Sequence, residues 1–259
     1  MKKIITLTVV ISLVIFVLFS AGCDLAEEKV TEKTTDKETE EATEEKETVS
    51  EDETAEEEST EEDDMAEEEE TATYSGGLDD ARIAFICASV GENWNINGHF
   101  PDLDITVYAE YQFDKGNVIR DILQNNKPDI MIIKECAAYF PPETSMDAYK
   151  NLIIDWVNLC RDSGVIPVLT TVVPIDPNNP GNQEGQLESI LEFNDWIRSY
   201  CINENISLLD LEAALRVSEN DRILNPAYDS GDGLHPNDLA YTERLDYIMI
   251  PALEEALGN

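Results

Sequence analysis

Asp129-Ile130-Met131-Ile132-Ile133 carries no polar residue after its first position. A strand with one wetted face alternates apolar and polar side chains. An unbroken apolar run of this length belongs to a strand covered on both faces. The same pattern recurs outward from it in both directions. Arg82-Ile83-Ala84-Phe85-Ile86, Ile105-Thr106-Val107-Tyr108, the stretch from Val165 to Val173 (stopped by Pro174) and Ile206-Ser207-Leu208-Leu209 are the other strand candidates. Helical patterns fill the gaps. Val118 to Leu123 leads into the 129–133 strand. Met146, Tyr149, Leu152, Ile153, Trp156, Val157 and Cys160 fall at helical spacing, with Gly164 as a stop. Leu187, Ile190, Leu191, Phe193, Trp196 and Ile197 mark another helix, and a last one runs from about Asp238 to Leu257. The Met, Trp and Tyr on these stripes read as core. Strand–helix alternation of this kind predicts a three-layer α/β/α domain around a mostly parallel five-stranded sheet with right-handed crossovers. Ligands of such sheets bind outside the carboxyl ends of the strands, so the residues just after each strand are the ones to inspect.

The full chain has 259 residues, with 56 acidic side chains against 17 basic ones and a formal charge of −39. That balance excludes an extended nucleic-acid-binding face and adsorption to anionic lipid through a basic patch. Five cysteines are too sparse for a disulfide-built miniprotein. The hydrophobic fraction of 42% averages over three unlike segments.

Lys2 and Lys3 precede an apolar run from Ile4 to Phe19, and Ser20-Ala21-Gly22-Cys23 follows. A positive start, an apolar stretch and small residues before a cut are the parts of a secretory signal. Cys23 sits where a bacterial lipoprotein carries its lipidated cysteine, with Ser20 in place of the usual Leu. The alternative is an uncleaved N-terminal anchor. Both place the rest of the chain outside the cytoplasm and tether it to the membrane of a bacterial cell envelope. Residues 1–23 are therefore assigned as a lipoprotein signal.

Residues 24–77 form an acidic linker. Positions 24–72 hold 25 acidic and four basic side chains and almost nothing to bury, so the segment cannot offset its own ordering entropy. It reads as a solvated spacer, with binding of cations or a partner by the acidic run as the alternative. Residues 78–259 have the pattern of one packed domain of roughly 180 residues, enough for a sizeable core. A monomer is expected.

The chain has two histidines, His99 and His235. An imidazole base must be one of them. His235 lies in Asp232-Gly233-Leu234-His235-Pro236-Asn237, just before the final helix. The three-residue spacing lets the Asp232 carboxylate accept from Nδ1 and leaves Nε2 facing a nucleophile; a plain loop with a surface His is the alternative. Ser89 follows the first strand, where its hydroxyl is either a nucleophile within reach of a base or a helix N-cap. His99, in Asn97-Gly98-His99-Phe100-Pro101, reads as a loop residue placed to line the cleft.

These residues together resemble the SGNH (GDSL-type) hydrolases over about residues 82–253. Asp232-Gly233-Leu234-His235-Pro236-Asn237 looks like that family's last block. Lys127-Pro128-Asp129-Ile130-Met131-Ile132-Ile133 resembles the strand before its third. The resemblance implies a flavodoxin-like sheet and serine ester hydrolysis without a cofactor or metal. It makes Ser89 the nucleophile, His235 the general base and Asp232 its orienting group. The backbone N–H groups of Ser89 and Gly116 become the oxyanion donors. The implied substrate is a small-molecule or polysaccharide ester, with an O-acetyl carbohydrate as the first guess from the envelope location.

Two departures stand out. The family's Gly-Asp-Ser is Cys87-Ala88-Ser89 here, and Ala138 falls where a side-chain oxyanion donor, an Asn, is usual. Loss of such a donor costs about 10²–10³ in rate. Asn93 or Asn95 is a candidate replacement, and Glu135, Cys136 and Ala138 are candidate cleft residues. The departures keep open a catalytically degenerate protein that binds an envelope carbohydrate. Cys87 and Cys136 follow neighbouring strands. They read as buried thiols, with a disulfide or a thiolate nucleophile as alternatives.

Overall fold

The computed structural model describes residues 76–258. The signal, Cys23 and the linker up to residue 75 lie outside the described residues. Five strands form one sheet in the order β2-β1-β3-β4-β5, with every neighbouring pair parallel. They are β1 (Arg82–Cys87), β2 (Asp104–Ala109), β3 (Ile130–Ile133), β4 (Ile166–Thr170) and β5 (Ser207–Leu209). The helices are α1 (Ser89–Asn93), α2 (Ile96–His99), α3 (Lys115–Asn125), α4 (Met146–Asp162), α5 (Gln186–Glu204), α6 (Leu211–Leu215), α7 (Asp238–Ala240) and α8 (Asp246–Gly258).

The apolar run that opened the sequence reading is buried at all four strand positions. Its side chains alternate between two cores. Met131 and Ile133 join Ala84, Ile86 and Leu169 against α3, α4 and α5, whose Ile119, Ile153, Trp156, Phe193 and Ile197 fill that layer. Ile130 and Ile132 join Ile83, Phe85 and Val168 on the opposite face, against Leu211, Leu245, Met249 and Leu253. Period-2 alternation with both phases apolar is what two covered faces require. Each large aliphatic buried this way contributes about 1.5–3 kcal/mol before entropy is subtracted.

Chain order and sheet order together locate the crevice. The chain runs from β1 outward to β2, then returns to β3 on the other side of β1 and continues to β4 and β5. The order reverses between β1 and β3. In open α/β sheets the crevice at the carboxyl end of that reversal is where ligands bind.

One element differs from the sequence reading. The strand expected over Val165–Val173 stops at Thr170, because β5 is three residues long and offers no further ladder partner. The side chain of Asn194, buried on α5, takes over there. Its Oδ1 accepts from Val172 N–H at 2.7 Å and its Nδ2 donates to Val172 O at 2.9 Å. The single final helix expected over 238–257 is one unbroken helical run, in which a π turn at Tyr241–Leu245 separates α7 from α8. The short helices α1, α2 and α6 carry no amphipathic repeat long enough to mark them in the sequence.

Candidate active site

Ser89 is the first residue of α1, two positions after β1 ends. The amides of Gly91 and Glu92 bond Ala88 O at 2.8 and 3.1 Å, which turns the chain sharply from strand into helix. Only glycine permits this turn at position 91. A Cβ there would lie 2.3 Å from Cys87 Cβ, well inside van der Waals contact. The fold-back leaves the Ser89 hydroxyl at the carboxyl end of the sheet.

His235 reaches it from the far end of the chain. Its loop is built by short-range hydrogen bonds. Asp229 Oδ1 accepts from Gly231 and Gly233 N–H at 2.9 and 3.0 Å, and Ser230 N–H donates to His235 O at 2.9 Å. Asn237 donates to the carbonyls of Ala227 and Asp229, and its Oδ1 caps α7 at Ala240 N–H. The loop is also pinned from outside. Gly233 O accepts from Asp176 N–H at 2.9 Å and from Asn182 Nδ2 at 3.1 Å. Gly233 has a φ of +72°, and a Cβ there would sit 2.5 Å from Asn179 Cβ. Backbone conformation and close approach both demand glycine.

Within this loop Asp232 Oδ2 lies 2.7 Å from His235 Nδ1, and Asp232 Oδ1 accepts from the N–H groups of Leu234 and His235 at 2.9 and 2.8 Å. His235 Nε2 lies 2.9 Å from Ser89 Oγ. Partial burial pushes the Asp232 carboxyl up. The His235 backbone and ring hydrogen bonds and the Leu234 N–H outweigh it and bring the group down to about 2. An ionised carboxylate can only accept, so Nδ1 carries the imidazole proton. Nε2 is left to accept from the Ser89 hydroxyl. The arrangement can remove the serine proton and return it to a leaving group.

On the oxyanion side the structure is less regular. Gly116 is the second residue of α3, which continues directly from a 3-10 turn at Gln112–Asp114 whose Gln112 and Phe113 carbonyls accept the Lys115 N–H. Trp156 Nε1 lies 3.1 Å from where a Gly116 Cβ would stand. Ala138 is exposed in a single turn at Ala137–Tyr139, and Cys136 is buried just before it. Asn93 is exposed at the last position of α1, and Asn95 is exposed in a left-handed link with φ +27°.

Two expectations are corrected. Glu135 does not line an open cleft. It is buried and ion-paired to Lys115 Nζ at 2.8 Å. His99 belongs elsewhere, with Nδ1 3.0 Å from the Asp246 carboxylate that also accepts from Trp94 Nε1. Cys87 and Cys136 are buried free thiols, as the sequence reading has them, and burial pushes the Cys87 thiol up to about 11, which keeps it protonated at neutral pH. Burial likewise raises Cys160 and Cys201 to about 12.

Lys115 and Lys134 escaped the sequence reading, which placed Tyr149 in the core without the bond from its hydroxyl to Glu135. A signal for one of the lysines was present. Lys134 directly follows a strand with no wet face, which puts a charge where only a paired one survives. Among the described residues no group of three or more His, Cys, Asp or Glu side chains is arranged to hold a metal ion.

No family model and no curated protein matches the chain. Solved structures match its fold. One from Bacteroides fragilis, assigned as an acylhydrolase, is 21% identical with a TM-score of 0.60 over 73% of this chain and 92% of that one. A GDSL-like lipase from Bacteroides thetaiotaomicron is 20% identical with a TM-score of 0.58 over 72% and 92%. An acetyl xylan esterase is 16% identical with a TM-score of 0.54 over 66% and 99%. The fold of residues 76–258 is therefore that of the SGNH hydrolases.

Proposed function

We propose that the protein is a serine ester hydrolase. The observation that carries this reading is the continuous chain Ser89 Oγ–His235 Nε2, 2.9 Å, and His235 Nδ1–Asp232 Oδ2, 2.7 Å, at the carboxyl end of a parallel sheet. Ser89 Oγ attacks the acyl carbon as its proton passes to His235 Nε2. The Asp232 carboxylate holds the ring and stabilises the imidazolium. The N–H groups of Ser89 and Gly116 donate to the oxyanion. Collapse of the tetrahedral adduct expels the alcohol, which takes the proton from His235. Water, deprotonated by the same ring, then releases the acid and restores Ser89.

The substrate we favour is an O-acetyl group on a carbohydrate, and an acetyl xylan esterase among the structural neighbours supports that choice. The protein acts as a monomer outside the cytoplasm, held to the membrane through lipidated Cys23, with residues 24–77 as spacer. Globomycin-sensitive processing and metabolic labelling with a fatty-acid probe, both lost in Cys23→Ala, test the anchor.

Purified protein should hydrolyse p-nitrophenyl acetate, and Ser89→Ala should lower the rate by about 10³ or more with little change in melting temperature. A carbohydrate-binding role without catalysis is the second reading, favoured by Ala138 at the place of a side-chain oxyanion donor. A fluorophosphonate probe separates the two: labelling of Ser89 supports the enzyme, and an unlabelled protein that still binds acetylated oligosaccharide supports the binder.

A further inference from the structure

The proposed reaction leaves a group of buried charges unused. Lys115 and Lys134 are fully buried and Glu135 is 1% exposed. Lys115 Nζ donates to Glu135 Oε1 at 2.8 Å and to the Lys134 carbonyl. The Tyr149 hydroxyl, from α4, donates to the other carboxylate oxygen, Glu135 Oε2. Lys134 Nζ donates to the Glu135 carbonyl at 2.9 Å. The next two carbonyls are held as well, Cys136 O by Tyr139 N–H and Ala137 O by Gln186 Nε2. Every carbonyl from 134 to 137 therefore has a partner from a different direction.

Such a cluster is a poor stabiliser. Removing two charges from water costs several kcal/mol each, and well-packed apolar residues of the same volume do as well or better. Its place in the fold suggests another use. Lys115 is the residue before Gly116. It lies at the start of α3, which follows β2, yet its ammonium bonds the segment that follows β3. β1 stands between those two strands, so the first turn of α3 is drawn across the end of β1, from which Ser89 emerges. The β1 side is tied to both neighbours: Glu110 N–H bonds Cys87 O at 3.0 Å and Lys134 N–H bonds Ile86 O at 2.9 Å.

We propose that Lys115, Glu135 and Tyr149 are positioning residues that clamp the Gly116 N–H against the acyl site beside Ser89. They provide by rigidity part of what a side-chain donor at position 138 would provide by contact. The inference rests on the ester-hydrolase reading above. Preorganised donors are effective because they need no reorientation when charge develops on the oxyanion, and a shift of about 1 Å is enough to lose most of that effect.

The test uses Tyr149→Phe, Glu135→Gln and Lys115→Met in the full-length protein, assayed on p-nitrophenyl acetate below each variant's melting temperature. The inhibition constant of a small alkyl boronic acid, which forms a tetrahedral adduct on Ser89, is measured beside kcat and KM. A positioning role lowers kcat by about tenfold to a hundredfold, leaves KM within about threefold, and weakens the boronate in proportion to kcat/KM. Tyr149→Phe removes a single hydroxyl and decides the matter if the charge variants do not fold. Unchanged kcat in a folded Tyr149→Phe, or a kcat loss with unchanged boronate affinity, overturns the clamp while the esterase stands. A wild-type protein without Ser89-dependent turnover overturns both.

Discussion

His235 Nε2 stands 2.9 Å from Ser89 Oγ although 146 residues separate the two in the chain. The serine is delivered by the first strand and the imidazole by the loop before the last helix. The contact exists only because one sheet fixes both ends of the domain. Asp232, three residues from His235, completes the chain from within the same loop.

That local pairing is open to a direct test. Asp232→Asn keeps the size of the side chain but presents an amide to Nδ1, which favours the wrong tautomer and removes the charge facing the imidazolium. Turnover on p-nitrophenyl acetate should fall by about 10²–10⁴, with the fold intact by circular dichroism. A loss under tenfold would show that the carboxylate does not orient the ring.

Acid should expose the same interaction in stability. The folded-state Asp232 carboxyl is held near 2, below its ordinary value of 3.8. Its contribution is complete above that ordinary value and is lost as pH falls toward 2. Denaturant midpoints of wild type and Asp232→Asn should therefore converge as pH is lowered from about 5 to 2. Midpoints that stay equally separated across that window would contradict the assignment.

Lys134 gives the same direction of pH dependence in an alkaline window, from burial rather than from pairing. Burial depresses its ammonium from 10.5 to about 8. Between those values the unfolded chain binds the proton and the folded one does not, so this group makes stability rise with pH across that window. Below about 8 the protonated lysine stays buried at a cost. Lys134→Met should flatten the stability curve between pH 8 and 10.5 relative to wild type, read by urea midpoints. Parallel curves would place the proton elsewhere.

Gly233→Ala tests the loop. A Cβ there meets both a φ of +72° and Asn179 at 2.5 Å. The strain should cost about 1–3 kcal/mol and displace His235, so activity should fall more than stability does. The double variant with Asn179→Gly should recover part of it. Wild-type activity in Gly233→Ala would show that the loop adapts freely.

The strands were legible because their signal is local. Ile130 to Ile133 could be read as doubly buried from four consecutive side chains, and the structure buries all four. Val165 to Val173 was overextended for the same reason. Its apolar run continues past Thr170, but whether Val172 pairs in a ladder depends on the length of β5 and on Asn194 of α5. Asp232 and His235 were legible as a pair at short separation. Lys115 gave no signal, since a lysine opening a helix is ordinarily solvated and only the approach of β3 buries it. His99 misled because a loop histidine looks the same whether it lines a cleft or pairs with Asp246 across 147 residues.

By itself the sequence determined the order of the five strands and the longer helices between them, the two-faced burial of the central strand, the Asp232–His235 couple and the unusual composition ahead of the domain. Each follows from side-chain periodicity, short spacing or charge density. The tertiary structure alone decided that Ser89 meets His235, that Lys115 reaches Glu135 across the end of β1, and that Cys87, Cys136, Cys160 and Cys201 stay free thiols. Those distances are sums over the packing of the whole sheet, and no local stretch of the chain encodes them.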